Sequence, residues 1–356
     1  MGHEIPAARL AGNILREALE RRKEPNRHEP NRHKRVPGGQ ENSKRRISVN
    51  YCTILRLTVA TLLGTAQAMS QPDGLTFRSI DVPGATATRA FGISPDGDIV
   101  GNYNIGAVVH GFVLRKGEIT TVDPPYGIGG ASSAYGINSR GDIVGLYADT
   151  GTIPGGDARR TRGYLRDASG NFHQIDFPGA ENTLAIKISP NGDVVGCYHH
   201  QDKDWDVAGG GTMHGYVYLR GSYESFPVPG TMHNGTARDG GLIAGVVWPT
   251  QTEFHAYKVE NGVYTLLDLP SYVASSYAWD VNPSGEIVGY FLDSSNRNHG
   301  FLLNDKGFTQ IDFPSNEVVF TRAVGINPRG DIVGVYATLD SAGALHTHGF
   351  LATRRR

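Results

Sequence analysis

"HGFLLNDKGFTQIDFP", residues 299–314, sets a histidine at the start of one alternating segment and an aspartate near the end of a second, with Asn304 to Gly307 between them. Asn and Gly favour tight loops, and the flanking segments alternate side-chain character with the period of two that a half-buried strand requires. With Asn304 to Gly307 as the loop, Leu303 faces Phe308, and counting back along both strands sets His299 opposite Asp312. The stretch therefore predicts a β-hairpin clamped at its base by a cross-strand pair, a contact that contributes about 0.2–1 kcal/mol.

Variants of the stretch recur along the chain, among them "HGFVLRKGEITTVDPP" from residue 110 and "HAYKVENGVYTLLDLP" from residue 255. The same count pairs His110 with Asp123 and His255 with Asp268. In one copy, with a loop one residue longer, Arg162 replaces the histidine opposite Asp176, which keeps the charge complementarity. His214 faces Pro227 and lacks an acid. His348 has no strand after it to supply one. The leading segment "FRSIDV", residues 77–82, has no "HGF" before it, so its Asp81 is the unmatched acid. Pairing 77–82 with 348–353 would join the two ends of the repeat array in one sheet and remove an exposed edge.

A second landmark sets the period. Gly97, Gly141, Gly192, Gly241, Gly285 and Gly330 close turns such as "SPDG", "NSRG" and "NPRG", each but one followed by an acid and then "IVG", or "VVG" in one copy. Pro95, Pro190, Pro283 and Pro328 fit the first central position of a type I turn, and the glycine takes the left-handed position that follows. Six units of some 40 to 50 residues with four short strands each predict a six-bladed β-propeller, closed by the N-terminal strand pairing into the last blade. The repeats run over about 77–117, 118–170, 171–221, 222–262, 263–307 and 308–356, within a single domain, 69–356.

The units resemble the HAF-type extracellular repeat family on His110-Gly111-Phe112, His214-Gly215-Tyr216, His255-Ala256-Tyr257, His299-Gly300-Phe301 and His348-Gly349-Phe350. The likeness covers 77–356. Arg162-Gly163-Tyr164 departs from the motif, and the fourth unit reads "GGLIAG", with Leu242 where others carry an acid. What the resemblance implies is a secreted, propeller-like protein; it brings no catalytic residues.

Composition agrees with many short strands and tight turns, with 47 Gly, 19 Pro and 39% apolar residues in a chain of 356. Residues 1–68 hold 13 Lys/Arg against 6 Asp/Glu, leaving 21 against 29 for the rest. The repeat region is thus acidic, which argues against nucleic acid as a partner. Residues 44–68 read as a signal peptide: basic residues at the start, an apolar stretch interrupted by Arg56, then Ala66 and Ala68 before a mature start at Met69. The apolar run is too short for a membrane span, so a secreted or periplasmic protein with no span in its mature chain is expected. Residues 1–43 read as a disordered basic leader, or as an upstream start that is not used in the cell. Cys52 leaves with the signal, and Cys197 reads as a small buried hydrophobe.

A residue that recurs in every unit is a structural element before it is a catalyst, because repeated environments do not create the single perturbed group that acid–base chemistry uses. That places the His/Asp pairs, and the aromatics Tyr103, Tyr147, Tyr198, Phe291 and Tyr336, in the scaffold. Departures from the repeat are the better functional signal. The second and third units carry the long connections "ADTGTIPGGDARRT" and "HHQDKDWDVAGGGTM". In the latter, Trp205 offers a stacking platform, and His199, His200, Asp202, Asp204 and Asp206 offer polar partners for a sugar. A solvated insertion with Trp205 tucked against its blade is the plainer alternative. Calcium on the three aspartates is the one metal reading the spacing admits, although Val207 stands where a calcium loop requires glycine. Two adjacent histidines on a strand point to opposite sides, which does not make a zinc site. The sequence contains no "GxSxG", "HExxH" or Gly-rich phosphate loop. The expected function is a non-catalytic scaffold presenting loops to a carbohydrate, peptide or surface ligand. A propeller enzyme, a lyase or hydrolase with an axial pocket, and a purely structural repeat protein are the alternatives.

Overall fold

A computed structural model describes residues 74–127, 131–152, 159–199, 213–219, 221–238, 241–249 and 253–354. Strand β1 (Leu75–Ile80) comes first. The first unit follows with β2 (Ala87–Ile93), β3 (Ile99–Ile105), β4 (Val108–Arg115) and β5 (Glu118–Thr121). The second holds β6 (Ser132–Ile137), β7 (Ile143–Thr152), β8 (Arg159–Arg166) and β9 (Phe172–Ile175). The third holds β10 (Asn182–Ile188), β11 (Val194–His199), β12 (His214–Leu219) and β13 (Ser222–Pro229). The fourth holds β14 (Thr231–Ala237), β15 (Leu242–Val247), β16 (His255–Glu260) and β17 (Val263–Leu266). The fifth holds β18 (Ser275–Val281), β19 (Ile287–Leu292), β20 (Asn298–Asn304) and β21 (Gly307–Ile311), and the sixth β22 (Val318–Ile326), β23 (Ile332–Leu339) and β24 (Leu345–Arg354). No α-helix occurs among the described residues, so none there is long and apolar enough to cross a membrane.

Units two to five are each a four-stranded antiparallel sheet in chain order. The remaining strands form one eight-stranded assembly, β22-β23-β24-β2-β3-β4-β5, with β1 also on β24. Its two halves meet through a single parallel pairing, Ala87 with Thr347. Strand β1 lies antiparallel to β24 from Leu75 opposite Arg354 to Ile80 opposite Gly349. Each unit's first strand packs on the sheet before it, β6 on β2–β4 and so on through β22 on β18–β20, while β2 packs on β22–β24.

Local chemistry explains the units. In the first turn Gly97 donates to Ser94 O at 3.0 Å, with Pro95 and Asp96 between and Gly97 at φ 95°. That conformation is strained for any residue with a Cβ. The glycine ending "IVG" is required for space. A Cβ on Gly101 would collide with the Arg89 carbonyl and with the Phe112 ring, which lies across it from the neighbouring strand. The same aromatic position holds Tyr164, Tyr216, Tyr257, Phe301 and Phe350, all fully buried between sheets. Where it is tyrosine the hydroxyl finds a carbonyl: Tyr164 donates to Ser133 O at 3.2 Å and Tyr216 to Leu184 O at 3.1 Å.

The fourth unit breaks the turn rule. Ile93 pairs with Ile99 and Ile137 with Ile143 across their turns, but Ala237 pairs with Leu242, one residue fewer. Gly241 accordingly does not take the left-handed conformation expected of it; Arg238 does, at φ 51°. Missing the acid that follows the glycine in the other copies, and one residue shorter, this segment closes differently.

Candidate functional site

Strand register brings the hairpin-base residues together in four places. His110 Nδ1 lies 2.7 Å from Asp123, His299 Nδ1 2.9 Å from Asp312, and His348 Nδ1 2.7 Å from Asp81 across the β1–β24 pairing. Arg162 donates to Asp176 at the equivalent place. The preceding strand supplies a ring on which each of these imidazoles rests: Tyr103 on His110 (5.3 Å), Phe291 on His299 (5.3 Å) and Tyr336 on His348 (4.9 Å). The rings named at that position in sequence are mostly buried scaffold, as with Tyr147, Tyr198, Phe291 and Tyr336.

Two sites differ from expectation. His255 is in register with Asp268, yet neither a hydrogen bond nor an ion pair joins them. Opposite His255 stands Val247 instead of a ring, and Asp268 is exposed, so nothing orients the imidazole toward the acid. His214 pairs with Pro229, not Pro227, because the β12–β13 register shifts between His214 and Tyr216. Its Nδ1 meets Phe226 O at 3.0 Å.

One element of the hairpin base was not read from the sequence. Each unit's first strand carries a buried hydroxyl, Thr88, Ser132, Thr183, Thr231, Ser276 or Thr321, bonded to the base of the preceding hairpin. Ser132 accepts from Gly111 N at 3.0 Å and donates to Asp123 at 2.5 Å. The signal was a Ser or Thr two residues before a recurring alanine. These groups tie unit to unit and satisfy buried donors, as buried polar groups must be. They recur, and so belong to the scaffold.

His233 is a local anomaly. It occupies the position that is Ala90, Ala134, Ala185, Ala278 and Ala323 in the other units, by the common register with the "IVG" glycine. It is fully buried, with Nδ1 2.6 Å from the Tyr257 hydroxyl. Burial pushes its pKa down to about 3.

His199 lies on β11 and is 3% exposed, buried among the sheets instead of offered to solvent. Its partners His200, Asp202, Asp204, Trp205 and Asp206 lie outside the described residues, so the calcium and sugar readings of that loop stay expectations.

The centre, where the first strands meet, holds residues that do not recur. A β-bulge interrupts each first strand, and the residue just after it is Gly92, Gly136, Gly235 or Gly325 in four units. A Cβ on Gly92 would run into the Tyr135 carbonyl, and one on Gly235 into the Asp280 backbone. In the third and fifth units the position is Lys187 and Asp280. Their side chains cross between non-adjacent units and meet at 3.0 Å, 8% and 9% exposed. Lys187 also donates to Phe91 O at 2.9 Å, and Asp280 accepts from Val281 N and Ile326 N. Burial raises the Asp280 pKa while Lys187 and the two amides pull it back. Each oxygen of the carboxylate accepts at least one hydrogen bond, and the pair ties four units together through Phe91, Lys187, Asp280 and Ile326.

Beside it runs a chain of rings. Phe91 stacks on Tyr135 at 4.5 Å, Tyr135 on Trp279 at 6.3 Å, Trp279 on Tyr277 at 5.0 Å and Tyr277 on Tyr290 at 5.1 Å. Burial raises the Tyr135 pKa to about 12, so the ring is neutral. Arg322 lies over Tyr290, 4.5 Å from its centroid. Arg89, at the matching position of the first unit, donates to Asn104 at 2.9 Å and Asn102 at 3.3 Å. Trp279, Tyr135, Tyr290, Arg89 and Arg322 are all half-buried.

No family model matches the sequence, and no curated protein does. Solved structures that align with the chain include TolB from Acinetobacter baumannii, at 15% identity over 63% of this chain and 54% of that one with a TM-score of 0.45. A lectin from Aleuria aurantia aligns at 12% identity over 74% and 91%, with a TM-score of 0.43. The PQQ-bound aldose sugar dehydrogenase of Streptomyces coelicolor aligns at 10% over 80% and 100%, with a TM-score of 0.42. The chain spans about half the length of TolB. Likeness at this level transfers neither site nor activity, and the strand pairings themselves carry the fold.

Proposed function

We propose that the chain is a six-bladed β-propeller of the HAF-repeat type, secreted or periplasmic, that serves as a binding scaffold. Its ligand is a carbohydrate, peptide or surface component, seated on the central rings. The observation that supports this most directly is the centre itself: half-buried rings of the second and fifth units, Tyr135, Trp279 and Tyr290, stand beside an ion pair that is already engaged by its own protein partners. Broad ring faces bind sugars and apolar side chains without performing chemistry. Lys187 and Asp280 are engaged with each other and with three backbone groups, which supports a structural part for the pair.

The test is a thermal-shift and calorimetric screen of residues 69–356 against polysaccharides and peptides, repeated with Trp279→Leu and Trp205→Ala. A ligand that binds only the native state raises its melting temperature by mass action. The reading expects a hit that Trp279→Leu weakens at least about ten-fold while the fold persists, a loss in keeping with removal of a stacking platform. Retained affinity in both variants would move the site elsewhere, and turnover of a hit would replace the scaffold reading with an enzyme.

A further inference from the structure

We infer that the central rings take an acidic saccharide, a glycan whose sugar rings carry carboxylates, with Arg89 and Arg322 holding the carboxylate. The inference rests on the binding-scaffold reading and adds the chemistry of the ligand.

The two arginines occupy one position of the repeat, immediately after the buried hydroxyls Thr88 and Thr321, on the first strands of the first and sixth units. Those strands pack against each other. The other four units hold Ser133, Leu184, Met232 and Tyr277 there, so the two guanidinium groups are confined to one side of the centre. Several arginines elsewhere in the repeat are bonded to carboxylates, among them Arg115 to Asp98, Arg140 to Asp142, Arg238 to Glu260 and Arg329 to Asp331. Arg89 meets only amide oxygens and Arg322 only ring faces, and neither forms an ion pair with a described residue. In a repeat region with an acidic balance, two half-buried cations left without counter-charge are a costly arrangement unless something else supplies it.

Two orphan donors lie in the same cluster. Arg322 Nε and Trp279 Nε1 are both buried without a hydrogen-bond partner among the described residues. A planar guanidinium recognises a carboxylate through paired N–H donors, and its stacking on Tyr290 holds the fork in place before a ligand arrives. Rings beside it supply the stacking face a pyranose uses. Guanidinium and aromatic face together match a sugar acid better than a neutral sugar, which has no use for the charge, and better than a bare anion, which has no use for the rings.

Calorimetric titration of residues 69–356 decides the matter, using oligogalacturonate, its neutral methyl ester and inorganic phosphate, each at low and high salt. The acid should bind at least about ten-fold tighter than the ester, with the margin narrowing in salt. Arg89→Gln and Arg322→Gln should each weaken the acid roughly ten- to hundred-fold and leave the ester unchanged, a loss expected of a charged hydrogen bond. Arg322→Lys, which keeps the charge and loses the fork, should fall between. Melting curves of each variant establish that it is folded. Equal binding of acid and ester, or indifference to both Gln variants, overturns the acidic-glycan inference and leaves the scaffold reading standing. Phosphate competing as well as the oligomer also overturns it, reducing the site to an anion trap. If peptides or neutral glycans bind and the acid does not, the ligand class is wrong; if nothing binds, the scaffold reading falls with it.

Discussion

Lowering the pH from about 7.5 to about 5 should destabilise this protein through one residue, His233. Its ring is sealed between Phe226 and Tyr257, and its pKa is pushed down to about 3 against an ordinary value of 6.5. His233 Nδ1 shares a 2.6 Å hydrogen bond with the Tyr257 hydroxyl, which also reaches Met232 O at 3.3 Å, and Nε2 has no partner among the described residues. A doubly protonated ring would hold a buried N–H at Nε2 with no acceptor among the described residues. The depressed folded-state pKa means that the unfolded chain binds the proton more readily, so the stabilisation is present above about pH 6.5 and is lost as the pH falls toward about 3. Between about pH 7.5 and 5 the loss comes to about 2 kcal/mol, equivalent to about 4 °C in melting temperature for a domain of this size. The measured quantity is a difference between wild type and His233→Ala, the residue found at that position in the other five units, so that contributions common to both proteins cancel. Urea unfolding of both proteins across the range should show a gap that shrinks by about 2 kcal/mol toward acid, over a constant offset for the lost ring. A gap that stays level within about 0.5 kcal/mol would refute the buried neutral imidazole.

A chain starting at residue 86, which lacks β1, removes Leu75, Phe77 and Ile80 from the core and should lose about 5–9 kcal/mol relative to one starting at 69; equal melting would mean that the N-terminal strand does not complete the last sheet in solution. Lys187→Met strands the Asp280 carboxylate in the centre and should cost about 3–5 kcal/mol, most of it recovered in the Lys187→Met/Asp280→Leu double variant, and a neutral single variant in urea melts would dismiss the pair as a tie. His299→Ala should lose about 0.2–1 kcal/mol from its Asp312 contact whereas His255→Ala should change little, and equal losses in thermal melts would contradict the difference seen between the two sites.

The hairpins were legible because their information is local: a loop, a period of two and a fixed count from the loop put His110 against Asp123 and His299 against Asp312. The β1–β24 pairing was legible by elimination, since His348 and Asp81 were the two members without a mate. What failed were places where residues are gained or lost between paired strands. The shift beside His214 moved its partner from Pro227 to Pro229, and the shorter fourth turn moved the left-handed residue from Gly241 to Arg238. Register in a bulged strand depends on packing against the next sheet, which no count along the chain contains. Lys187 and Asp280 escaped notice for a related reason. Each looks like a lapse from glycine within its own unit, and only the placing of the third unit across from the fifth reveals two opposite charges at one position. His255 shows that register alone does not make a contact, since its imidazole has no ring to lie on.

The pairing of Leu75–Ile80 with the stretch ending at Arg354 also governs how the molecule can be assembled. His348 and Asp81 stand 267 residues apart in the chain. A nascent molecule must hold β1 in waiting until β24, the last of the described strands, has been synthesised. Contacts of such sequence separation are slow to form, because the loop entropy is lost before the contact is gained. Until β24 is made, β1 is a solitary ribbon with apolar side chains at Leu75 and Phe77 and unpaired amides, open to capture by another copy. Exchange of that single strand between molecules is therefore the characteristic misassembly to expect of this protein, and dilution during refolding the remedy.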